Sequence, residues 1–210
     1  MLRSLLLCLS VLLSPAVMAQ ETTQPNPQVV IRTSEGDITL RLFRDKSPVT
    51  VDNFLNYVND GDYEDAFFHR SSTNFVIQGG GFSTTSTTFT SVDQFSDIPT
   101  DDPVLNEPGL SNVRGTIAMA KTSVPNSATN QFFVNLSDTN VFLDDPDSPS
   151  NTGGFTVFGQ VLDMRTADAI ADLPIDRSNP SPYGELPVAE DGTLAVIQEV
   201  VGRGTISGIK

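Results

Sequence analysis

Apolar and polar residues alternate with a period of two over much of this chain, and the places where that period breaks are as informative as the runs. Val29, Val30 and Ile31 lead into Ser34-Glu35-Gly36-Asp37, after which Ile38, Leu40 and Leu42 alternate with Thr39 and Arg41. Two such runs around a Glu-Gly turn predict a β-hairpin. The period then lengthens: Val51, Phe54, Leu55 and Val58 fall on one helical face, Ser47 can cap it with Pro48 at its first position, and Gly61 supplies a stop. That spacing predicts a helix beginning at Pro48. Period-two patterning returns at 65–69, 75–78, 115–120, 131–135, 155–161 and 194–201, with a second, short helix from Thr166 to Leu173 ahead of Pro174. Ser83–Thr90 is rich in serine and threonine, Asp144–Gly154 is acidic and rich in proline and glycine, and both read as loops. Many strands, few helices and frequent turns imply a closed antiparallel barrel or a sandwich.

The N-terminus changes the domain picture. Arg3, an apolar run from Leu5 to Leu13, a break at Ser14-Pro15 and then Val17-Met18-Ala19 make the three-part layout of an export signal cut after Ala19. The apolar run is too short for a permanent membrane span. Cys8 is a poor lipid acceptor, because Leu7 precedes it where a small residue is wanted and the apolar run continues past it. Removing residues 1–19 removes the chain's one cysteine, so the mature protein has neither a disulfide nor a thiol nucleophile. Residues 20–27 (QETTQPNP) read as a flexible leader, and the remainder is the length of a single domain with room for a core. Net charge is −14, and the loss of Arg3 makes it one unit more negative. Such a surface favours solubility and repels nucleic acid and anionic lipid.

Candidate chemistry concentrates in FFHRSSTNFVIQGGGF, Phe67 to Phe82, where the chain's one histidine, His69, adjoins Arg70 among aromatic residues. A hydrolase would have to use His69 as its base, yet no G-x-S-x-G elbow exists, and the neighbouring arginine lowers the proton affinity of the ring. One histidine without cysteine or a second spaced ligand cannot build a zinc site. The acidic run at 144–154 has no closing glutamate for an EF-hand calcium loop. Gly79-Gly80-Gly81 lacks the Lys-Ser/Thr of a phosphate loop and reads as a bend where backbones approach closely. No cofactor is called for. Asn135-Leu136-Ser137 matches a glycosylation acceptor but ends an apolar strand. Arg70 is different, because a permanent cation in apolar surroundings is costly unless it is paired or has a task. Gln78 and Gln131 can hold a guanidinium without neutralising it, which suits polarising an amide rather than moving protons.

The motifs FHR…FVIQGGGF (68–82), NEPGLSNVRGTIAMAK (106–121), SATNQFFVN (127–135) and FTVFGQV (155–161) resemble the core motifs of cyclophilins, the barrel-type peptidyl-prolyl isomerases. The resemblance runs over residues 28–204 in the family's order, leaves 205–210 as a tail, and is strongest to the exported bacterial branch. It implies a mainly β fold, a closed eight-stranded antiparallel barrel capped by two α-helices, with a groove that binds extended, proline-containing polypeptides. It implies an isomerase that accelerates X-Pro rotation in exported polypeptides and assists their folding, as a monomer in the periplasm, secretion being the second option. Carried over residue by residue, Arg70 matches the catalytic arginine. Phe75, Val76, Met119, Phe133, Phe142 and Leu143 match positions of the proline pocket, and Gln78 and Gln131 match polar groove residues. Ala120-Lys121 matches the edge that bonds the peptide backbone, His69 a groove-lining histidine without a proton-transfer role, and Phe68 a core position.

There are also departures from the family pattern. Ser71-Ser72-Thr73-Asn74 replaces a run that usually holds proline and glycine, which predicts a looser Phe75. Val76 stands where methionine is common, Phe142 where tryptophan is common and Phe155 where histidine is common. The acidic insertion at 144–154 falls beside the pocket. These departures keep a second class in view, a cyclophilin-like module that holds clients without catalysis; proline isomerisation of a test peptide separates the two.

Overall fold

The computed structural model describes residues 26–149 and 151–203. The export signal, most of the leader and the tail read from the sequence lie outside them. In chain order the strands are β1 (Gln28–Thr33), β2 (Gly36–Leu42), β3 (Arg70–Ser72), β4 (Val76–Gly79), β5 (Phe82–Thr84) and β6 (Phe95–Asp97). There follow β7 (Thr116–Met119), β8 (Phe132–Asn135), β9 (Val157–Val161), β10 (Ile175–Asp176), β11 (Leu186–Pro187) and β12 (Ile197–Arg203). Helix α1 is Pro48–Asp60 and α2 is Arg165–Ala171, and short 3-10 turns occupy Val92–Gln94 and Asp138–Asp144.

Eight strands form one antiparallel sheet in the order β12-β1-β2-β9-β7-β8-β4-β3. The β1–β2 hairpin is as the alternation predicts, with Thr33 opposite Gly36 at its turn. Alternate side chains point to one interior, where Ile31, Ile38, Leu40, Ile77, Ile117, Phe132, Val134 and Phe158 form the main core. Helix α1 covers it with Phe54, whose ring lies 5.4 Å from Tyr63, 5.7 Å from Phe132 and 5.2 Å from Phe158.

The expected closure into a barrel is an overstatement, because the order ends at β12 and β3 and the sheet is a curled half-barrel. The strand expected at 65–69 explains the seam. Phe67 N–H donates to Phe82, Phe68 N–H to Ala195 and His69 N–H to Gln78, so three successive donors go to three different segments and no ladder forms. What crosses the seam is an isolated bridge, Phe67 to Val196, with bonds between Asp65, Ala66 and Ile197. Asp65 has a φ of 60, which also breaks extended pairing. The serine- and threonine-rich stretch is only partly loop, since its first residues pair in the β5–β6 ribbon. That ribbon lies over a second apolar cluster of Phe67, Phe82, Leu186, Leu194 and Val196. The second helix starts one residue before Thr166 and ends two before Leu173.

Helix α1 ends as predicted, with Gly61 left-handed at φ 79. Its start differs. Ser47 makes no capping bond, and its hydroxyl instead donates to the Val157 carbonyl at 2.9 Å inside the fold. The cap comes from a distant residue: the Glu107 carboxylate accepts from Val49 N–H at 3.3 Å, Thr50 N–H at 2.8 Å and the Thr50 hydroxyl at 2.8 Å. A carboxylate at a helix N-terminus satisfies free amides and faces the positive end of the dipole. Glu107→Ala is therefore expected to lower the unfolding free energy by about 1 kcal/mol, measured by urea denaturation. An unchanged midpoint would show that the cap contributes nothing.

Candidate active site

Strand register builds the site before any loop does. Arg70 pairs with Gln78 across β3–β4, Gln78 with Phe133 across β4–β8, and Phe133 with Ala118 across β8–β7. Residues directly opposite in a sheet share a face, so these four form one row. The intervening residues Ile77, Ile117, Phe132 and Val134 are in the main core, so the row lies on the outer face. There Val76, Ala118, Phe133, Leu143 and Val157 make a third apolar cluster, with Phe75, Ala120 and Phe155 packed against it.

On this cluster sits a recess of about 130 Å³. Phe75, Val76, Phe133, Leu143 and Phe155 give it apolar walls, and Arg70, Gln78, Ala120 and Lys121 complete its lining. Phe133 meets Phe155 edge to face at 5.5 Å. Arg70, half-buried, lies over the Phe75 ring at 5.5 Å, and its Nε donates to Glu185 Oε2 at 2.8 Å. Gln78 Nε2 donates to Gln131 Oε1 at 2.9 Å. A second, larger recess of about 440 Å³ lies on the other side of Arg70, where His69, Gln131, Pro182 and Glu185 contribute.

Two expected residues stand elsewhere. Met119 is 1% exposed and packs in the main core, because it alternates with Ala118 and Ala120 and so points inward. Phe142 is 58% exposed and does not wall the recess; it stacks on Phe75 at 5.8 Å from outside. His69 and Gln131 line the second recess, not the first. Phe68 is fully buried in the main core. Phe75 is held firmly despite the altered 71–74 run: its carbonyl accepts from Leu136 N–H and Asn140 Nδ2, each at 2.8 Å, and its N–H donates to Ser72. Asn74, at φ 56, makes the tight turn that glycine makes readily.

The triple glycine is where backbones crowd. Gly80 has φ 81, and a Cβ there would lie 2.9 Å from the Asn130 carbonyl oxygen. At Gly81 the space is filled by the Gln131 side chain, which would sit 2.5 Å from a Cβ. Glycine thus lets Gln131 lie flat and reach Gln78.

Phe155 and Glu185 also stand at the recesses, without being expected there. Phe155 was legible only as a departure from a pattern. Glu185 lies far along the chain in a stretch without a motif, and nothing local signals it. The acidic insertion is fastened, not free. Lys121 Nζ donates to Asn151 Oδ1 at 2.7 Å and the Thr152 carbonyl at 3.1 Å, and lies 4.8 Å over Phe155. Asn151 Nδ2 donates to the Leu143 carbonyl at 2.9 Å, and Asp144 accepts from Asn112 N–H at 2.8 Å. Burial pulls the Lys121 pKa below its ordinary value.

The imidazole of His69 is 1% exposed, meets Phe82 edge to face at 4.8 Å, and has Nδ1 buried without a partner among the described residues. Burial, assisted by the Arg70 charge, lowers its pKa to about 3. The ring is thereby held in its neutral form around neutral pH.

A curled sheet that carries an apolar recess and a fixed cation on its outer face has the architecture of a barrel-type peptidyl-prolyl isomerase. The family model described as "Cyclophilin type peptidyl-prolyl cis-trans isomerase/CLD" matches residues 28–190, and the chain belongs to that family of enzymes. It is 42% identical over 177 residues to peptidyl-prolyl cis-trans isomerase A of Dickeya dadantii, covering 83% of each chain. It is 41% identical over 153 residues to peptidyl-prolyl cis-trans isomerase B of Escherichia coli, covering 71% of this chain and 87% of that one. The fold is similar to the crystal structure of a cyclophilin type isomerase of Cryptosporidium parvum, at 24% identity and a TM-score of 0.62, over 86% of this chain and 99% of that one.

The buried histidine has a consequence for stability. Below pH 6.5 the unfolded chain takes up a proton on His69, while the folded chain does not until about pH 3. Stability from this residue is therefore complete above pH 6.5 and declines as pH falls, by about 1.4 kcal/mol per unit inside that window. Urea midpoints between pH 6.5 and 5 are expected to fall for the natural sequence and to fall less for His69→Gln. Equal slopes for the two proteins would refute the buried neutral ring.

Proposed function

We propose that the mature chain is a monomeric periplasmic prolyl isomerase, exported by its N-terminal signal, that rotates X-Pro bonds in other exported polypeptides and so assists their folding. Arg70 is its catalytic residue. The observation that carries this is a guanidinium fixed at the rim of an apolar recess whose walls are Phe75, Val76, Phe133, Leu143 and Phe155.

The barrier to be lowered is amide resonance, about 18–20 kcal/mol, which makes uncatalysed rotation take tens to hundreds of seconds. At the twisted transition state the proline nitrogen becomes pyramidal and regains a lone pair. A donor aimed at that nitrogen binds the twisted form better than either planar isomer, and such differential binding accelerates a step. The recess grips the proline ring so that only the other side of the bond turns. Apolar walls keep water away, which strengthens the cation's hydrogen bond. Ala120 and Lys121 at the recess offer backbone to the substrate chain, and the Gln78–Gln131 pair supplies polar groups beside it. No proton is transferred, so a permanently charged arginine serves and His69 is not required.

The direct test is isomerisation of an X-Pro test peptide with and without the protein, together with fractionation of cells that express the full chain. Acceleration by the periplasmic fraction is expected; recovery of the protein in the cytosol alone would overturn the export reading. Arg70→Ala is expected to lower kcat on the order of 10²-fold with the fold and peptide affinity largely kept. Lysine should rescue poorly, because a point charge lacks the guanidinium fork. Near-normal turnover in the alanine variant would rule out the mechanism. Activity should also be level from about pH 6 to 9, since His69 stays neutral across that range.

A further inference from the structure

We propose that Glu185 is a positioning residue for Arg70, holding the guanidinium from the side away from the proline recess so that its free N–H groups point at the substrate. The proposal rests on the prolyl-isomerase reading above and extends it to a residue outside the motif-bearing segments. Three observations carry it.

The first is which nitrogen is held. Glu185 Oε2 accepts from Arg70 Nε at 2.8 Å, not from the two Nη groups at the tip. A guanidinium has five N–H donors in a rigid plane, so fixing Nε fixes the direction of the rest while leaving the tip free. With Cζ 5.5 Å over the Phe75 ring as well, the group is held at Nε and set against one aromatic wall.

The second is where the carboxylate stands. Arg70 lines both recesses, whereas Glu185 lines only the larger one and is absent from the walls of the smaller, proline-sized one. The negative charge therefore lies behind the cation as seen from the proline nitrogen. It can orient the guanidinium without standing between it and the reacting atom.

The third is that Glu185 is itself fixed. Its carbonyl accepts from Ser71 N–H at 2.8 Å, its second oxygen accepts from the Ser72 hydroxyl at 3.3 Å, and the next residue, Leu186, is fully buried in the second apolar cluster. The segment docks along β3, so the carboxylate is tied to the same strand that carries Arg70. As a stabilising ion pair this would be weak, because both side chains are 32% exposed and solvent screens them. Stability does not explain the arrangement; orientation does.

The experiment measures kcat and KM separately for an X-Pro peptide, the thermal midpoint, and the exchange rate of the Arg70 Nε–H by NMR. These are compared for the natural protein, Glu185→Ala and Glu185→Gln, and for Arg70→Ala with and without Glu185→Ala. Glu185→Ala is expected to lower kcat about tenfold, equivalent to 1.4 kcal/mol, with KM within about twofold, little change in midpoint, and a fast-exchanging Nε–H. Glu185→Gln keeps an acceptor oxygen and should retain most of kcat and a protected Nε–H. In the Arg70→Ala background, Glu185→Ala should do nothing more. The proposal is overturned if Glu185→Ala keeps normal kcat, if glutamine fails as badly as alanine, or if the loss persists without Arg70. An inactive natural protein would sink the isomerase reading instead, and the Nε–H exchange would still report whether Glu185 holds Arg70.

Discussion

The register of β3, β4, β8 and β7 is the constraint on which the rest of the site depends. Pairing Arg70 with Gln78, Gln78 with Phe133 and Phe133 with Ala118 puts a cation, an amide and an aromatic wall in one row. Because side chains in a sheet alternate strictly, a slip of one residue would send each of them into the core and bring Ile77, Phe132 and Ile117 out. The core thus enforces the site. Burial of those inward residues is worth about 1.5–3 kcal/mol each, and the same choice of register turns the reactive face outward at no separate cost.

That alternation also separates the two charged-or-chargeable neighbours. Arg70 reaches the outer face and stays partly hydrated, whereas His69 is sealed against Phe82 and is driven to its neutral form. One residue of chain carries the site from a permanent cation to a ring that cannot hold a proton at ordinary pH. The proposed rotation needs a donor to a lone pair and no proton transfer, a requirement that Arg70 alone meets.

Around this sheet the long connections act as fixed lips. The acidic insertion is drawn onto the recess by Asn151 and Lys121, and Lys121 in turn lies over Phe155. The segment before β12 crosses the open seam of the sheet, supplies Leu186 and Leu194 to the second cluster and delivers Glu185 to Arg70. Neither lip belongs to the eight-stranded sheet, and each is held by a few bonds from buried or half-buried polar groups.

The sequence by itself determined the elements that local physics controls. Period two marked β2, β4, β8 and β9, period 3.6 with Pro48 and Gly61 marked α1, and the Gly79-Gly80-Gly81 bend was legible as a glycine run without a phosphate-loop Lys-Ser/Thr, its crowding being tightest at Gly80 and Gly81. Motif resemblance brought Arg70, Phe75, Gln78 and Phe133 together, and the fold keeps them together. Tertiary structure decided what depends on partners distant in the chain. Met119 was placed in the pocket by motif, yet strand alternation turns it into the core. The segment 65–69 looked like a strand, but its donors are divided among three neighbours, which leaves the sheet a curled half-barrel. Ser47 looked like a cap until Glu107 took the helix end, and Glu185 meets Arg70 from 115 residues away. Nearest-neighbour chemistry is written in the order of residues; a hydrogen bond or charge contact across the fold exists only once packing has brought its two ends within about 3 Å.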